Sequence, residues 1–512
     1  MRLMRGSALG LTAVALALAA HSAEAGKADD TLVWTTDREV AVIDPYYNNT
    51  RELVIMGHLG WDAVLFYNLD TEEYEPLLAT EWTYVDDTTM DLTLREDVVF
   101  HDGSSFGPED LAYTINHVTR EDAGVLTAQN VEWLESAEVT GENTVRIHLD
   151  EPFPAAEAYL AGAIFAVPEG HYDDAPMGPD GKPDFAAVDP VGTGPYKWVE
   201  TVPGERVEWA ANEDYFEGGP KGQPEIANIT FRTLKDPNTQ MAELMTGGVD
   251  WIWDVPKEQA ERLEQSGQVT VENAKTMRIS YLHLDATGTS NTEALTDKRV
   301  RQAIAHAIDR ESIARNLVGP ASVVIHSACH PDQFGCTDDV AQYSYDPDKA
   351  RQLLEEAGYG DGLELDIYAY RQREFTEAVI GDLRRVGIDA NLNFLQYAAL
   401  RDLVWGGETP IAHMTWGSSS IPDVSASLGH FFEGGRDDPA KDDAVIAAVK
   451  RGDTSIEPEA REAAYKDALS IIAEEAYWVP MFTYAKYYAY SNDLNFEATA
   501  DEIPRFYKAS WK

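Results

Sequence analysis

Apolar residues recur between residues 297 and 309 at the spacing of a helix that buries one face. The apolar positions fall at i, i+4, i+7 and i+8, and they are Val300, Ile304, Ala307 and Ile308. Asp297 precedes this pattern, and its side chain is suited to capping the N-terminus of a helix. The pattern therefore predicts an amphipathic helix that packs against a larger structure.

The pattern further along the chain predicts alternating strands and helices. A cap at Asp346 and a proline at Pro347 begin a helix that ends before Gly358. The following apolar positions alternate as a strand, recur as a helical stripe, and alternate again: Leu363, Leu365 and Ile367; Phe375, Val379, Leu383 and Val386; Ile388, Ala390, Leu392 and Phe394. Short connections between a strand, a helix and a strand predict a right-handed βαβ unit on a sheet.

The first half of the chain predicts shorter elements. Thr31–Thr35 forms a strand pattern, and the loop after it turns at Asp44. Short strands and turns follow between residues 61 and 190, with a helix beginning near Pro108. A chain of 512 residues with 44% hydrophobic residues is too long for a single core, so two or three domains are expected.

The formal net charge of −49 limits the class of partner. Such a negative surface repels nucleic acid and anionic membranes, which excludes both as main partners. Two interpretations of the charge stay open: a solvated acidic coat suited to a saline habitat, or attraction of cationic ligands.

The N-terminus has the three parts of a secretory signal peptide. Arg2 and Arg5 form a basic region, an apolar run follows over residues 8–20, and Ala23-Glu24-Ala25 is a cleavage motif. We expect the mature chain to begin near Gly26. With no cysteine near the cleavage site and no later membrane helix, the expected location is the periplasm, without a lipid anchor or membrane insertion.

The two cysteines, Cys329 and Cys336, lie close together in sequence. In an oxidising compartment this favours a local disulfide. The alternative is a metal site that adds His330 or His326, although the spacing is not a standard zinc pattern.

Motifs for catalysis do not occur in the sequence. The Gly417–Ile421 string lacks the final glycine of a nucleophile elbow, and the glycines at 192–194 lack the lysine of a phosphate-binding loop. We therefore expect no enzyme activity, no cofactor and no metal.

Several strings resemble one known family, the family 5 extracellular solute-binding proteins. They are DKRVRQAIAHAID (297–309), ISYLHLDATGTSN (279–291), VGTGPYKWVETVPGERVEWAANEDYFEGGP (191–220) and GGVDWIWDVPKEQAERL (247–263). The resemblance implies an α/β fold of two lobes, the type II periplasmic binding protein fold similar to cluster C, with an extra subdomain in lobe I. The implied boundaries are a signal peptide over 1–25, lobe I over 26–60, 191–281 and 487–512, its subdomain over 61–190, and lobe II over 282–486.

The same resemblance implies a function. Members of this family capture a peptide or peptide-like solute between the lobes and deliver it to the permease of an ABC importer in the inner membrane. We therefore expect a monomer with a small-molecule or peptide ligand. The alternatives are a non-peptide cargo on the same fold, such as a sugar derivative, a modified amino acid, a metal chelate or haem, or, less favoured, a periplasmic hydrolase.

The resemblance also implies a ligand-binding segment at 415–423. In peptide-binding relatives the equivalent segment carries an acid that holds the ligand's ammonium group, and the family string D-Y-P-D becomes Ser420-Ile421-Pro422-Asp423 here. Asp423 keeps the second acid, but Ser420 cannot supply the charge of the first. Either another acid holds the ammonium, or the ligand has no ammonium there. The candidates in this segment are Trp416, Gly417, Ser418, Ser420 and Asp423.

The remaining candidates flank this segment. Arg371 and Arg373 follow a strand at its C-terminal end, where α/β folds bind ligands, and arginine forms bidentate bonds to carboxylates. The sequence does not choose between these two arginines. The other candidates are Tyr47, Asn49 and Thr50 in the loop after the first strand, and Trp405 and His413.

Overall fold

The computed structural model describes residues 26–179 and 181–512. The predicted signal peptide lies outside the described residues. The strands are β1 (Thr31–Thr36), β2 (Leu65–Asn68), β3 (Glu73–Pro76), β4 (Ala79–Asp86), β5 (Thr89–Leu94), β6 (Leu134–Gly141), β7 (Thr144–Leu149), β8 (Tyr196–Val202), β9 (Arg206–Ala211), β10 (Asn228–Thr233), β11 (Trp251–Ile252), β12 (Val269–Leu284), β13 (Leu363–Ala369), β14 (Ile388–Phe394), β15 (Ile411–Trp416), β16 (Trp478–Ser491), β17 (Leu494–Asn495) and β18 (Ser510–Trp511).

The helices lie between these strands and cover the sheets. They are α1 (Arg51–Gly60), α2 (Pro108–Val118), α3 (Ala156–Gly162), α4 (Pro237–Thr246), α5 (Lys257–Ser266), α6 (Lys298–Ala307), α7 (Arg310–Ile313), α8 (Pro347–Glu356), α9 (Arg373–Arg385), α10 (Tyr397–Trp405), α11 (Ser425–Phe432), α12 (Asp443–Thr454) and α13 (Pro458–Glu475). None of the described helices is both long enough and apolar enough to cross a membrane.

Two long antiparallel strands connect the two lobes. The main sheet has the order β14-β13-β15-β12-β16-β11-β1-β10-β9-β8, so β12 and β16 lie at its centre. The first part of β12 pairs with the last part of β16 beside β11, and the last part of β12 pairs with the first part of β16 beside β15. The pairing is interrupted between Lys275 and Ile279. This interruption separates the part of β12 that lies beside β11 from the part that pairs with β15.

Alternating side chains of the central strands give each lobe a core on both faces of its sheet. In β1, Leu32 and Trp34 join the core of the first lobe, and Val33 joins a separate cluster on the opposite face. In β12, Leu282 contributes to one core of the second lobe and Tyr281 to another. A sheet covered on both faces is typical of α/β folds.

A smaller sheet with the order β4-β5-β7-β6 forms the extra subdomain, and α2 packs against it. The two-lobed α/β fold with a subdomain on the first lobe agrees with the fold class that the sequence resemblance implied.

The predicted elements of the second lobe are present. The side chain of Asp297 caps α6 by accepting a hydrogen bond from the backbone N–H of Arg299. Helix α6 ends at Ala307, so Ile308 lies just beyond it but is still buried. Strands β13 and β14 are parallel neighbours with α9 between them in sequence, as the predicted βαβ unit requires.

The Gly-Thr-Gly turn that precedes β8 packs against the end of α1. A Cβ atom at Gly192 would lie 2.1 Å from the carbonyl oxygen of Gly60, and one at Gly194 would lie 2.4 Å from that of Leu59. Only glycine permits these approaches, so the motif serves packing inside the first lobe.

Candidate functional site

Charged side chains meet where β12 and β16 cross between the lobes. Arg278 lies in the interrupted part of β12, and Lys486 lies on β16. Glu502, in the C-terminal segment, forms ion pairs with both residues. Its carboxylate oxygens lie 3.2 Å from Nη2 of Arg278 and 3.1 Å from Nζ of Lys486. Nη2 of Arg51 lies 3.9 Å from the same carboxylate.

Burial differs between the acid and its partners. The side chain of Glu502 is 2% exposed, whereas Arg278 and Arg51 keep 17% and 18% of their side-chain surface accessible. Burial alone would raise the pKa of Glu502, but Arg278, Lys486 and Arg51 outweigh it and hold this pKa far below its usual range. Glu502 therefore lies beneath the cluster as a carboxylate, and the accessible surfaces of Arg278 and Arg51 are cationic.

Arg51 and Ser420 connect the lobes directly. Arg51 is the first residue of α1, which Thr50 caps by accepting a hydrogen bond from the N–H of Leu53. Nη1 of Arg51 donates a hydrogen bond of 3.0 Å to Oγ of Ser420, and this hydroxyl donates one of 2.6 Å to the carbonyl oxygen of Asp501. The serine thus links the 415–423 segment of the second lobe to α1 and to the C-terminal segment of the first lobe.

Arg371 follows β13 and faces the same charged cluster. Burial lowers the pKa of its guanidinium, whereas the nearby carboxylate of Asp254 raises it. Tyr370, Tyr484 and Glu502 raise this pKa further, so the overall shift is upward. No hydrogen bond or ion pair within the described residues holds this guanidinium. Its donors are therefore available to a ligand.

Arg373, by contrast, begins α9 on the exposed surface. Its Nε donates to Oε1 of Glu377 at 2.7 Å, and its guanidinium lies 5.6 Å from the centre of the Phe394 ring. The geometry therefore favours Arg371 over Arg373, a choice that the sequence left open.

Asp254 and Trp253 lie beside Lys486 at the edge of the cluster. Nζ of Lys486 lies 4.2 Å from the centre of the Trp253 ring, which is within the range of a cation–π contact. Lys486 lowers the pKa of Asp254 and Arg371 adds to this effect, whereas partial desolvation by the surrounding protein acts to raise it. Asp254 is exposed to solvent, so its carboxylate is the accessible acid of the cluster.

The segment after β15 forms one wall of the site. Trp416 stacks on His430 at a centroid distance of 4.5 Å and donates from Nε1 to the carbonyl oxygen of Ala426. A Cβ atom at Gly417 would lie 2.9 Å from Nη2 of Arg278, so glycine allows the guanidinium to pack against the backbone. The hydroxyl of Ser418 is hydrogen-bonded to that of Ser427 and is buried.

Several residues around this site have a backbone conformation that favours glycine. Among the non-glycine residues with a positive φ angle are Asp254 (55°), Gln372 (34°), Ser418 (49°), Ser420 (66°) and Glu502 (60°). Such conformations cost free energy and are typical of functional sites, where the surrounding structure holds them in place.

Asp423 requires a correction to the sequence hypothesis. Its carboxylate oxygens lie 3.0 and 2.9 Å from Nη2 of Arg461, and both side chains are buried. The backbone N–H of Ser425 donates to the same carboxylate. Asp423 is therefore neutralised inside the second lobe and is not a free acid for a ligand's ammonium group.

His413 and Trp405 also have internal partners. The ring nitrogens of His413 are hydrogen-bonded to the hydroxyls of Ser280 and Thr376, and burial lowers its pKa to about 4. Nε1 of Trp405 donates to the carboxylate of Asp437. These contacts give both residues partners within the second lobe, and a contact with the ligand stays a prediction for each of them.

The three candidates in the loop after β1 do not join the charged cluster. The hydroxyl of Tyr47 is hydrogen-bonded to Nε2 of His117, and its ring stacks on Phe185 in the first lobe, away from the charged cluster. Asn49 is exposed, and Thr50 caps α1. Only the next residue, Arg51, reaches the cluster.

Cys329 and Cys336 form a disulfide. Their sulfur atoms are therefore not thiolate ligands, which removes the alternative of a metal site with His326 or His330. Within the described residues, no group of three or more histidine, cysteine or acidic side chains is placed to hold a metal ion.

An interlobe cavity of about 560 Å³ lies beside the Trp416–His430 stack, between the subdomain and the second lobe. The acidic residues that line it are Glu132, Asp150, Glu151, Glu433 and Asp453. The space between the lobes thus has a cationic region at the crossing strands and an acidic region toward the subdomain.

Sequence reasoning missed five residues of the cluster: Arg51, Arg278, Lys486, Asp254 and Glu502. Arg51 directly follows the loop that was proposed, and Asp254 lies in a string that carried the family resemblance. Glu502 has no signal in the linear pattern, because its partners lie far away in sequence.

Two lobes, a pair of crossing strands and a polar cleft between the lobes define the class of two-lobed solute-binding proteins. The family described as "Bacterial extracellular solute-binding proteins, family 5 Middle" matches residues 73–439, and this chain belongs to that family. It is therefore a solute-binding component of the kind that serves ABC importers, as the sequence resemblance implied.

Relatives and solved structures agree with this assignment. The chain is 25% identical over 453 residues to "Heme-binding protein A" of Haemophilus influenzae, covering 82% of this chain and 81% of the relative. It is 26% identical over 514 residues to "Glutathione-binding protein GsiB" of Escherichia coli (strain K12), covering 95% of each. Its fold is similar to that of a dipeptide-binding protein from Pseudoalteromonas sp. SM9913 in complex with Met-Leu, with a TM-score of 0.79, 19% identity, and coverage of 94% of this chain and 100% of that chain.

Proposed function

We propose that this protein captures a peptide or peptide-like small solute between its lobes and delivers it to an inner-membrane permease. The observation that carries this proposal is the convergence of Arg371, Arg278 and Arg51 from both lobes on one cleft. The unpaired Arg371 suits a carboxylate, which every peptide with a free C-terminus presents. The names of the relatives, which include glutathione-binding and dipeptide-binding proteins, support the same cargo class.

We further propose that the protein acts in the periplasm after removal of residues 1–25, as a monomer without a lipid anchor and without catalytic activity. The lobe boundaries proposed from the sequence place the crossings near residues 282 and 486. The interrupted pairing of β12 supports a first crossing a few residues earlier, between Lys275 and Ile279. Ligand binding would stabilise a closed arrangement of the lobes, which the permease recognises.

A second candidate keeps the same role but changes the cargo to a non-peptide solute. The engagement of Asp423 with Arg461 favours it, because that acid is then not available to a ligand ammonium. The hydroxyls of Ser418 and Ser420 do not replace the missing charge.

Native mass spectrometry of protein purified from its own periplasm tests the function. The expected result is a small solute bound one to one, released and identified after denaturation. A set of short peptides supports the first cargo class, and a single non-peptide mass supports the second. Protein that carries no solute and binds none from a periplasmic extract contradicts the proposed function.

A further inference from the structure

We propose that the cargo of this cleft is an anion with at least two negative charges, a statement that rests on the proposed function. The charges at the crossing strands, in the cationic region of the cleft, carry this inference. Four positive side chains (Arg51, Arg278, Arg371 and Lys486) surround two negative ones (Asp254 and Glu502), which leaves an excess of two positive charges. The neighbouring pair of Arg505 and Asp501 is neutral by itself.

The arrangement of these charges matters as much as their number. Glu502 is buried beneath the arginines, so it neutralises the cluster from below without facing the cleft. Nε of Arg278 is buried without a hydrogen-bond partner. Arg371 has no ion pair or hydrogen bond within the described residues. A cation without a partner in a partly desolvated site is costly, and a dianion placed there removes that cost.

The acidic composition of the chain makes a local excess of positive charge unusual. The chain has 89 acidic and 40 basic residues, so an acid near each arginine would be the common outcome. At the exposed Arg373 the expected partner, Glu377, is present. At the crossing strands the acids are fewer than the cations, whereas the acids that line the interlobe cavity lie toward the subdomain. The acid that the family string would supply is replaced by Ser420, whose hydroxyl accepts a hydrogen bond from Arg51.

A set of four dipeptides separates charge from size. Replacing Gln by Glu adds one negative charge, and N-acetylation removes the positive charge of the terminal ammonium, so each change makes the net charge of the peptide more negative by one. The shapes are closely similar within each Gln and Glu pair. Calorimetric titration of cargo-free mature protein is expected to give the tightest binding for N-acetyl-Ala-Glu, the weakest for Ala-Gln, and about tenfold between successive charges. Titration with succinate and with citrate shows whether a carboxylate that is not part of a peptide binds to the site.

A variant that is expected to bind more tightly gives a clear test, because misfolding would weaken binding instead. Asp254→Asn removes the accessible acid of the cleft, and asparagine tolerates the positive φ at this position. We expect Asp254→Asn to bind N-acetyl-Ala-Glu at least threefold more tightly than the wild type. Asp348→Asn, which removes the same charge from a fully accessible position on α8, is the control and is expected to change nothing.

Two results overturn the inference: Ala-Gln binding as tightly as N-acetyl-Ala-Glu, or a native cargo that proves neutral or cationic at pH 7 by electrophoresis after release. In the second case the proposed function survives, because a solute is still captured. Absence of any captured solute contradicts the proposed function instead, so the two failures are distinguishable.

Discussion

The hydroxyl of Ser420 in the second lobe donates a 2.6 Å hydrogen bond to the carbonyl oxygen of Asp501 in the first lobe. Because the same hydroxyl accepts from Arg51, one serine contributes two bonds to the contact between the lobes. The position at which the sequence departs from the family string is therefore part of the contact between the lobes.

Ser420→Ala is expected to weaken cargo binding about fivefold. A typical hydrogen bond contributes about 1 kcal/mol, and its loss here destabilises the closed arrangement that binding requires. Calorimetry with the native cargo measures the change. Ser470→Ala on the exposed face of α13 serves as the control, and equal affinities for the two variants would show that the bridge does not contribute to closure.

Arg371→Gln is expected to weaken binding of a carboxylate-bearing cargo about tenfold to a hundredfold. Charge-assisted hydrogen bonds contribute about 1.5–3 kcal/mol, and glutamine keeps much of the volume without the charge. The matched control is Arg373→Gln, because Arg373 pairs with Glu377 on the surface. Wild-type affinity in Arg371→Gln would exclude a carboxylate clamp at this position.

Asp423→Asn is expected to lower the free energy of unfolding by about 3–5 kcal/mol, because it leaves the buried Arg461 without its charge partner. Cargo affinity of the folded variant is expected to stay within about twofold of the wild type. Urea unfolding measures the first quantity and calorimetry the second. Asp402→Asn, in an exposed pair with Arg401, is the control for stability, with an expected change of less than about 1 kcal/mol. A large loss of affinity with unchanged stability would restore Asp423 as a ligand-binding residue.

Acid is expected to destabilise the protein partly through His413. Burial lowers its pKa in the folded state to about 4, and its ring faces the uncharged hydroxyls of Ser280 and Thr376. Since the unfolded chain takes up a proton near pH 6.5, the contribution of the neutral ring is full above that pH. It is lost as the pH falls from 6.5 toward 4, which amounts to roughly 3 kcal/mol.

Thermal unfolding between pH 7 and pH 4.5 measures this contribution. The loss of stability on acidification is expected to be smaller in His413→Gln than in the wild type. An unchanged pH profile in His413→Gln would mean that other groups account for the acid sensitivity.

Removal of the disulfide is expected to destabilise the fold by about 2.5 kcal/mol, since Cys329 and Cys336 close a short loop that constrains the unfolded chain. Urea unfolding of the Cys329→Ser, Cys336→Ser double variant measures the effect. Alkylation of native periplasmic protein provides the complementary measurement, and free thiols at both positions would contradict the bond.

Local patterns were sufficient for much of the fold. Three features depend only on neighbours within one element: the helix cap at Asp297, the apolar stripe of α9 and the alternation in β13 and β14. Within one helix or strand, the repeat of the backbone determines which side chains share a face. The resemblance of short strings then supplied the two-lobed arrangement. The sequence also narrowed the carboxylate partner to Arg371 or Arg373, because strand ends are local features.

Only the tertiary structure decided which charges meet. Glu502 and Arg51 are separated by about 450 residues in sequence, and no local period relates them to Arg278 or Lys486. Likewise, the carboxylate of Asp423 could face a ligand or an internal cation, and the position of Arg461 on another helix determined the outcome. The strength of an ion pair depends on distance and burial in three dimensions, so the sequence determined the scaffold, and the packing of the lobes determined the charge of the cleft.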